Sequence, residues 1–96
     1  MNIKDLRDGM QTVEAEGEIV EVSSPREVSL RAGGQAKVAD ATLRDESGSI
    51  TLSLWDAQIE AFTKGARVKV SNGYINTFKG ELRLNTGRNG KLELVP

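Results

Sequence analysis

The sequence predicts an all-β domain, a five-stranded Greek-key barrel with one short helix between its third and fourth strands. Three observations predict it. Apolar and polar residues alternate with a period of two over much of the chain, turn residues interrupt that alternation at short intervals, and one segment, after Trp55, has helical spacing. The chain has 96 residues, 38% of them hydrophobic, which suits one core and therefore one domain over 1–96.

Each element can be justified in order. Ile3, Leu6 and Met10 have near-helical spacing, so a turn or two should plug one end of the barrel, with Gly9 ending it. In the first strand Val13, Ala15 and Gly17 alternate with Glu14, Glu16 and Glu18, and the apolar parity then switches to Val20 and Val22. A period-two pattern changes face only at a bulge or bend, and Gly17 is the expected hinge. The polar stretch from Ser24 to Gly33-Gly34 reads as a hairpin tip. The next strand turns Ala39, Ala41 and Leu43 inward and Val38, Asp40, Thr42 and Arg44 outward. Asp45-Glu46-Ser47-Gly48 makes a tight turn with a positive φ expected at its glycine. The third strand buries Ile50, Leu52 and Leu54, which leaves Thr51, Ser53 and Trp55 on its other face.

Asp56 is placed to cap a short helix in which Ile59 and Phe62 share a side, with Gly65 as its stop. Val68 and Val70 open the fourth strand, and the parity resets at Asn72-Gly73 so that Tyr74, Asn76 and Phe78 fall on one side. Lys79-Gly80 turns the chain, Leu82 and Leu84 point inward with Arg83 and Asn85 outward, and residues 91–95 form a closing strand. A long first strand joining both halves of the sheet, and a helix after the third, are features of an OB-fold.

Composition excludes much chemistry. With no cysteine there is no disulfide or thiolate site, and with no histidine the commonest general base and metal ligand is missing. The expectation is a non-enzymatic protein without a cofactor or metal. Glu14, Glu16 and Glu18 could in principle serve a metal-dependent nuclease, but alternating acids on an exposed strand are more often a solubility device. Thr86-Gly87-Arg88-Asn89-Gly90 lacks the Gly-Lys-Ser/Thr ending of a phosphate loop. No apolar run approaches a membrane span, and the first residues carry no basic-then-apolar leader, so a soluble, cytoplasmic protein without membrane contact is expected.

The formal net charge is −1, but it is unevenly spread. Over residues 1–23, Lys4 and Arg7 face six carboxylates. Over residues 61–96, Lys64, Arg67, Lys69, Lys79, Arg83, Arg88 and Lys91 face only Glu81 and Glu93. A localised basic surface is therefore compatible with the neutral total.

The four aromatic side chains carry the functional argument. Phe62 belongs to the core, whereas alternation puts Trp55, Tyr74 and Phe78 on the face that does not pack inward. Exposing large rings needs a reason, and stacking on unpaired bases supplies one at about 1–3 kcal/mol per base. The competing reading has strand coiling turn the rings inward. Arg67, Lys69, Lys79, Arg83 and Arg88 are the candidates to track a phosphate backbone, with Arg44 and Arg31 as weaker additions. The expected footprint is about 4–6 nucleotides for one such barrel. A rival reading makes the same aromatic face a protein-interaction module.

The segments Lys37-Val38-Ala39-Asp40-Ala41, Asp45-Glu46-Ser47-Gly48-Ser49-Ile50, Leu54-Trp55-Asp56, Asn72-Gly73-Tyr74, Phe78-Lys79-Gly80 and Thr86-Gly87-Arg88 together resemble the short single-OB single-stranded DNA-binding proteins of archaea and their eukaryotic relatives. The resemblance covers nearly the whole chain. It implies an OB-fold barrel, base stacking on Trp55, Tyr74 and Phe78, and a role in DNA replication, recombination or repair. Single-stranded DNA is the expected partner, with single-stranded RNA left open, alongside protein partners in repair or replication and a monomeric state. The chain departs from the pattern at Asn85, where some relatives carry a further aromatic, and many relatives continue into a tail used for partner proteins.

Overall fold

The structure, a computed structural model, describes residues 2–31, 33–86 and 90–95. A 3-10 turn at Ile3–Asp5 precedes the strands β1 (Gln11–Val22), β2 (Arg26–Ser29), β3 (Gln35–Arg44) and β4 (Ser49–Trp55). The helix α1 (Ala57–Ala61) follows, then β5 (Arg67–Phe78), β6 (Glu81–Asn85) and β7 (Lys91–Leu94). Five of the strands close a ring in the order β1-β3-β4-β6-β5 and back to β1. The β4–β6 pairing is parallel and the others are antiparallel. β2 lies outside the ring as a hairpin partner of β3, and β7 extends β5 beyond the closure.

Alternation forces this shape, because each ring strand turns one apolar row inward. Val13, Ala15, Ile19, Ala41, Leu43, Leu52, Leu54, Val68, Val70, Ile75 and Leu84 are buried together, and each fully enclosed Val, Leu or Ile side chain adds about 1.5–3 kcal/mol of transfer free energy. Ile3 and Leu6 close one end, held by the β3–β4 turn: the Asp45 carboxylate accepts the Ile3 N–H at 3.0 Å and the Ser47 hydroxyl accepts that of Lys4 at 3.2 Å. Phe62, just after α1, is buried in the same core, with Ile59 packed beside it.

Four expectations change. The face switch in β1 occurs at a register shift between Ile19 and Glu21, not at Gly17. Gly17 continues the inward row, and a side chain there would meet the Arg44 carbonyl oxygen at 2.5 Å, so it is glycine for close approach. The β3–β4 turn does not use a positive φ at Gly48. Asp45 holds it instead, accepting hydrogen bonds from the Ser47 N–H and hydroxyl and the Gly48 N–H. Asp56 does not cap α1; it has φ 48° and makes no cap hydrogen bond, while its carboxylate accepts the Lys37 N–H at 3.0 Å. The polar stretch after Ser24 is more than a tip, because residues 26–29 pair with β3.

The reset at Asn72-Gly73 stands as expected. Val13 pairs with Gly73 and Ala15 with Val70, so Glu14 faces both Ser71 and Asn72, the latter at φ 54°. This bulge changes the outward parity of β5 and delivers Tyr74, Asn76 and Phe78 to one face.

Candidate nucleic-acid interface

The site lies on the outer face of β5, β6, β4 and β3, where the registers set the rows. Tyr74 pairs with Asn85, Asn76 with Arg83 and Phe78 with Glu81; Arg83 in turn neighbours Thr51, and Trp55 pairs with Val38. Trp55, Tyr74 and Phe78 are 37%, 40% and 50% exposed, so none of the three rings has turned into the core. Tyr74 and Phe78 are four residues apart on one strand, about 13 Å at the usual rise.

Trp55 borders two adjoining clefts. One, of about 470 Å³, lies between Trp55, the start of α1, Tyr74 and Thr86. The other, of about 480 Å³, runs from Trp55 past Asn76, Asn85 and Arg83 to Phe78, and its far wall is Arg26, Val28, Leu30 and Arg31 of the β2–β3 hairpin. The rings thus line one continuous tract. The hairpin wall escaped sequence reasoning except for Arg31. The signal was present in Val28 and Leu30, which alternate as a strand inside an otherwise polar stretch.

The cations divide into three groups. Arg83 belongs to the face, but its guanidinium grips Asp40 with two hydrogen bonds of 2.6 and 3.3 Å and lies 5.1 Å from the Phe78 ring centroid. Arg26 reaches the same carboxylate at 3.4 Å. The Arg83 hydrogen bond is the main reason the Asp40 carboxyl is held below its usual pKa; burial opposes this, and the charges of Arg83 and Arg26 add to it. The same bond raises Arg83. Lys79 sits at the edge of the face, its Nζ 5.5 Å from the Phe78 centroid.

Arg44 and Lys69 are not brought to the rings. Arg44 ends β3 opposite Glu18 and Ser49, and Lys69 stands between Glu16 and Glu93 on the β1–β5–β7 side. Alternation placed both on outward positions, but Arg44 stands at the end of β3 away from the Val38–Trp55 pair and Lys69 on a part of β5 that faces β1 and β7. Arg88 lies outside the described residues. The acidic row of β1 finds its explanation here too, since Glu16 and Glu18 stand in register with Lys69, Arg67 and Arg44. Among the described residues no three acidic, histidine or cysteine side chains converge as a metal-holding group.

Asn85 is buried at the floor of the tract, and its side-chain amide donates to the Asn76 side-chain oxygen at 3.0 Å. At this point β6 presents a short polar bridge to β5.

A closed five-stranded ring with a parallel β4–β6 pair, plugged at one end and carrying a helix between its third and fourth members, is an OB-fold. Its outer face carries a tract of exposed aromatic side chains. The chain belongs to the family described as single-stranded DNA binding protein Ssb-like, OB fold, which matches residues 10–94. It is 28% identical over 90 residues to the single-stranded DNA binding protein Ssb of Saccharolobus solfataricus, covering 94% of this chain and 60% of that protein. It is 32% identical over 91 residues to replication factor A of Methanothermobacter thermautotrophicus, covering 94% of this chain and 11% of that one. The chain therefore spans less than two thirds of either relative.

Solved structures share the fold. The OB domain of Ta0387 from Thermoplasma acidophilum superposes with a TM-score of 0.85 at 21% identity, over 99% of this chain and 85% of that one. A replication protein A heterotrimer bound to single-stranded DNA gives 0.76 at 15% identity, over 99% of this chain and 24% of that chain. Among the described residues no helix is long and apolar enough to cross a membrane.

Proposed function

We propose that this chain binds single-stranded DNA with little sequence preference, as a binder and not as an enzyme, in support of DNA replication, recombination or repair. The observation that carries the reading is the continuous tract on which Trp55, Tyr74 and Phe78 stand exposed, in a chain of the Ssb-like family. Each ring offers a π-face to an unpaired base, and a duplex, whose bases are already stacked, offers nothing comparable. Lys79 and Arg31, at the two margins of the tract, are the cations placed to meet phosphates. Arg44 and Lys69 line neither cleft and are not part of this reading.

The relatives named for single-stranded DNA binding and for replication factor A support the assignment. Trp55 is the sole tryptophan, so its fluorescence reports on the tract directly. Titration with oligo-dT at low salt should quench it, and a matched duplex should not. Absence of quenching by oligo-dT overturns the reading and favours a protein partner on the same rings.

A further inference from the structure

The tract has a feature that base stacking does not require. Two of its arginines, Arg83 and Arg26, point at one carboxylate, Asp40. Arg83 starts on β6 and reaches Asp40 on β3, so the pair spans β4, whose outward Ser53 is in register with Asp40 and buried. The bond is a two-pronged fork, the geometry that a guanidinium also uses to hold phosphate. With both terminal nitrogens engaged on Asp40 and Nε buried, Arg83 presents no open fork to a nucleic-acid backbone. Its Nε is the one buried side-chain donor without a hydrogen-bond partner among the described residues, so the group is aimed at Asp40 and Phe78 even though one of its donors goes unused. Asp40 is itself anchored: its N–H donates to the Ser23 hydroxyl at 2.9 Å and its carbonyl accepts the Ser23 N–H at 2.8 Å.

We propose that Asp40 is a built-in counter-anion of the interface, a positioning residue that keeps Arg83, and more loosely Arg26, off the phosphates and holds Arg83 against the Phe78 ring. The floor of the tract then offers bases the apolar surface of Val28 and the amide of Asn76, laid over the buried Val38 and Asn85, while phosphates run along its margins. This rests on the single-stranded DNA reading and deepens it. It also explains how a barrel with several arginines near its site can depend chiefly on stacking.

The test is the salt dependence of oligo-dT binding, read by Trp55 fluorescence, in the wild-type chain, in Asp40→Asn and in Asp40→Asn with Arg83→Gln. Neutralising Asp40 should free one or two guanidiniums, so the slope of log K against log salt steepens by about 0.7 for each phosphate gained and binding at low salt tightens. Adding Arg83→Gln should take back about 0.7 of that gain. An unchanged slope in a folded Asp40→Asn chain overturns the proposal, as does a gain that Arg83→Gln leaves intact. Should Asp40→Asn fail to fold, nitrogen-15 NMR of the wild-type chain decides. Arg83 signals that keep their Asp40 pairing when oligo-dT saturates the protein support the proposal, and through-bond coupling from Arg83 nitrogen to phosphorus overturns it. Failure of the wild-type chain to bind oligo-dT defeats the functional reading and this inference together, whereas binding with an unaltered slope defeats the inference alone.

Discussion

At the scale of single residues, the interface is set by side chains whose surroundings give each a distinct task. Trp55 borders both clefts, so its removal opens the middle of the tract. Trp55→Ala should weaken oligo-dT binding by about 1–3 kcal/mol, roughly five- to 150-fold in Kd, with thermal stability little changed. Because Trp55 is also the fluorophore, anisotropy of a labelled oligonucleotide is the measurement. Tyr74 and Phe78 were legible as outward residues from parity alone, and so was Trp55. The fate of Arg83 was not legible, because its partner is 43 residues away in sequence and nothing local links them.

At the scale of elements, two turns carry the sharpest expectations. The β3–β4 turn depends on Asp45, where desolvation works against the charged form but is outweighed by hydrogen bonds from the Ser47 hydroxyl and the N–H groups of Ile3, Ser47 and Gly48, lowering its pKa to about 2. A carboxylate whose folded pKa lies below its unfolded value stabilises the fold above the unfolded pKa and loses that contribution as pH falls through the folded one. Urea denaturation should therefore show a loss of stability from about pH 4 down to about pH 2, and Asp45→Ala should make it smaller, leaving the share that Asp40 contributes. The carboxylate is only part-buried, so at neutral pH the substitution should cost about 1–2 kcal/mol, the lower part of the range for charged hydrogen bonds.

The β5–β6 turn places Lys79 and Gly80 both at positive φ, 52° and 79°. Asn-Gly is the preferred pair for such a turn. Lys79→Asn should raise stability by up to about 1 kcal/mol through relief of the left-handed strain. It should also weaken oligo-dT binding, because the cation beside Phe78 is gone. Opposite signs in a melting curve and a binding titration are the expected pair of results. The sequence identified this turn through its glycine, but it also suggested Gly48 and Asp56 for tasks that neither performs. Gly48 is held instead by Asp45, whose carboxylate accepts its N–H, and Asp56 by the Lys37 N–H that β3 brings to it.

At the scale of the whole molecule, the net charge of −1 conceals an uneven surface. The paired registers of Glu16 and Glu18 with Lys69, Arg67 and Arg44 balance the far side of the barrel, and Asp40 offsets part of the charge at the tract. Few cations are left for phosphates. The salt slope for oligo-dT should accordingly be shallow, about −1.4 to −2.1 for two or three phosphates, and binding should persist at moderate salt. A slope several units steeper would show that backbone contacts dominate.

The sequence by itself determined the strands of the closed ring and most of their inward rows, the parity reset at Asn72-Gly73 and the outward aim of Trp55, Tyr74 and Phe78, but neither the strand at residues 26–29 nor the place of the face switch in β1. Each of these depends only on period-two alternation and on turn chemistry within a few residues. The tertiary structure alone decided which outward residues share a side, because a closed ring has many outsides and alternation cannot tell one from another. That is why Lys69 went to the β1–β5–β7 side and Arg44 to the end of β3 beside Glu18, why the hairpin wall of Arg26, Val28 and Leu30 joined the rings, and why Arg83 met Asp40 across β4.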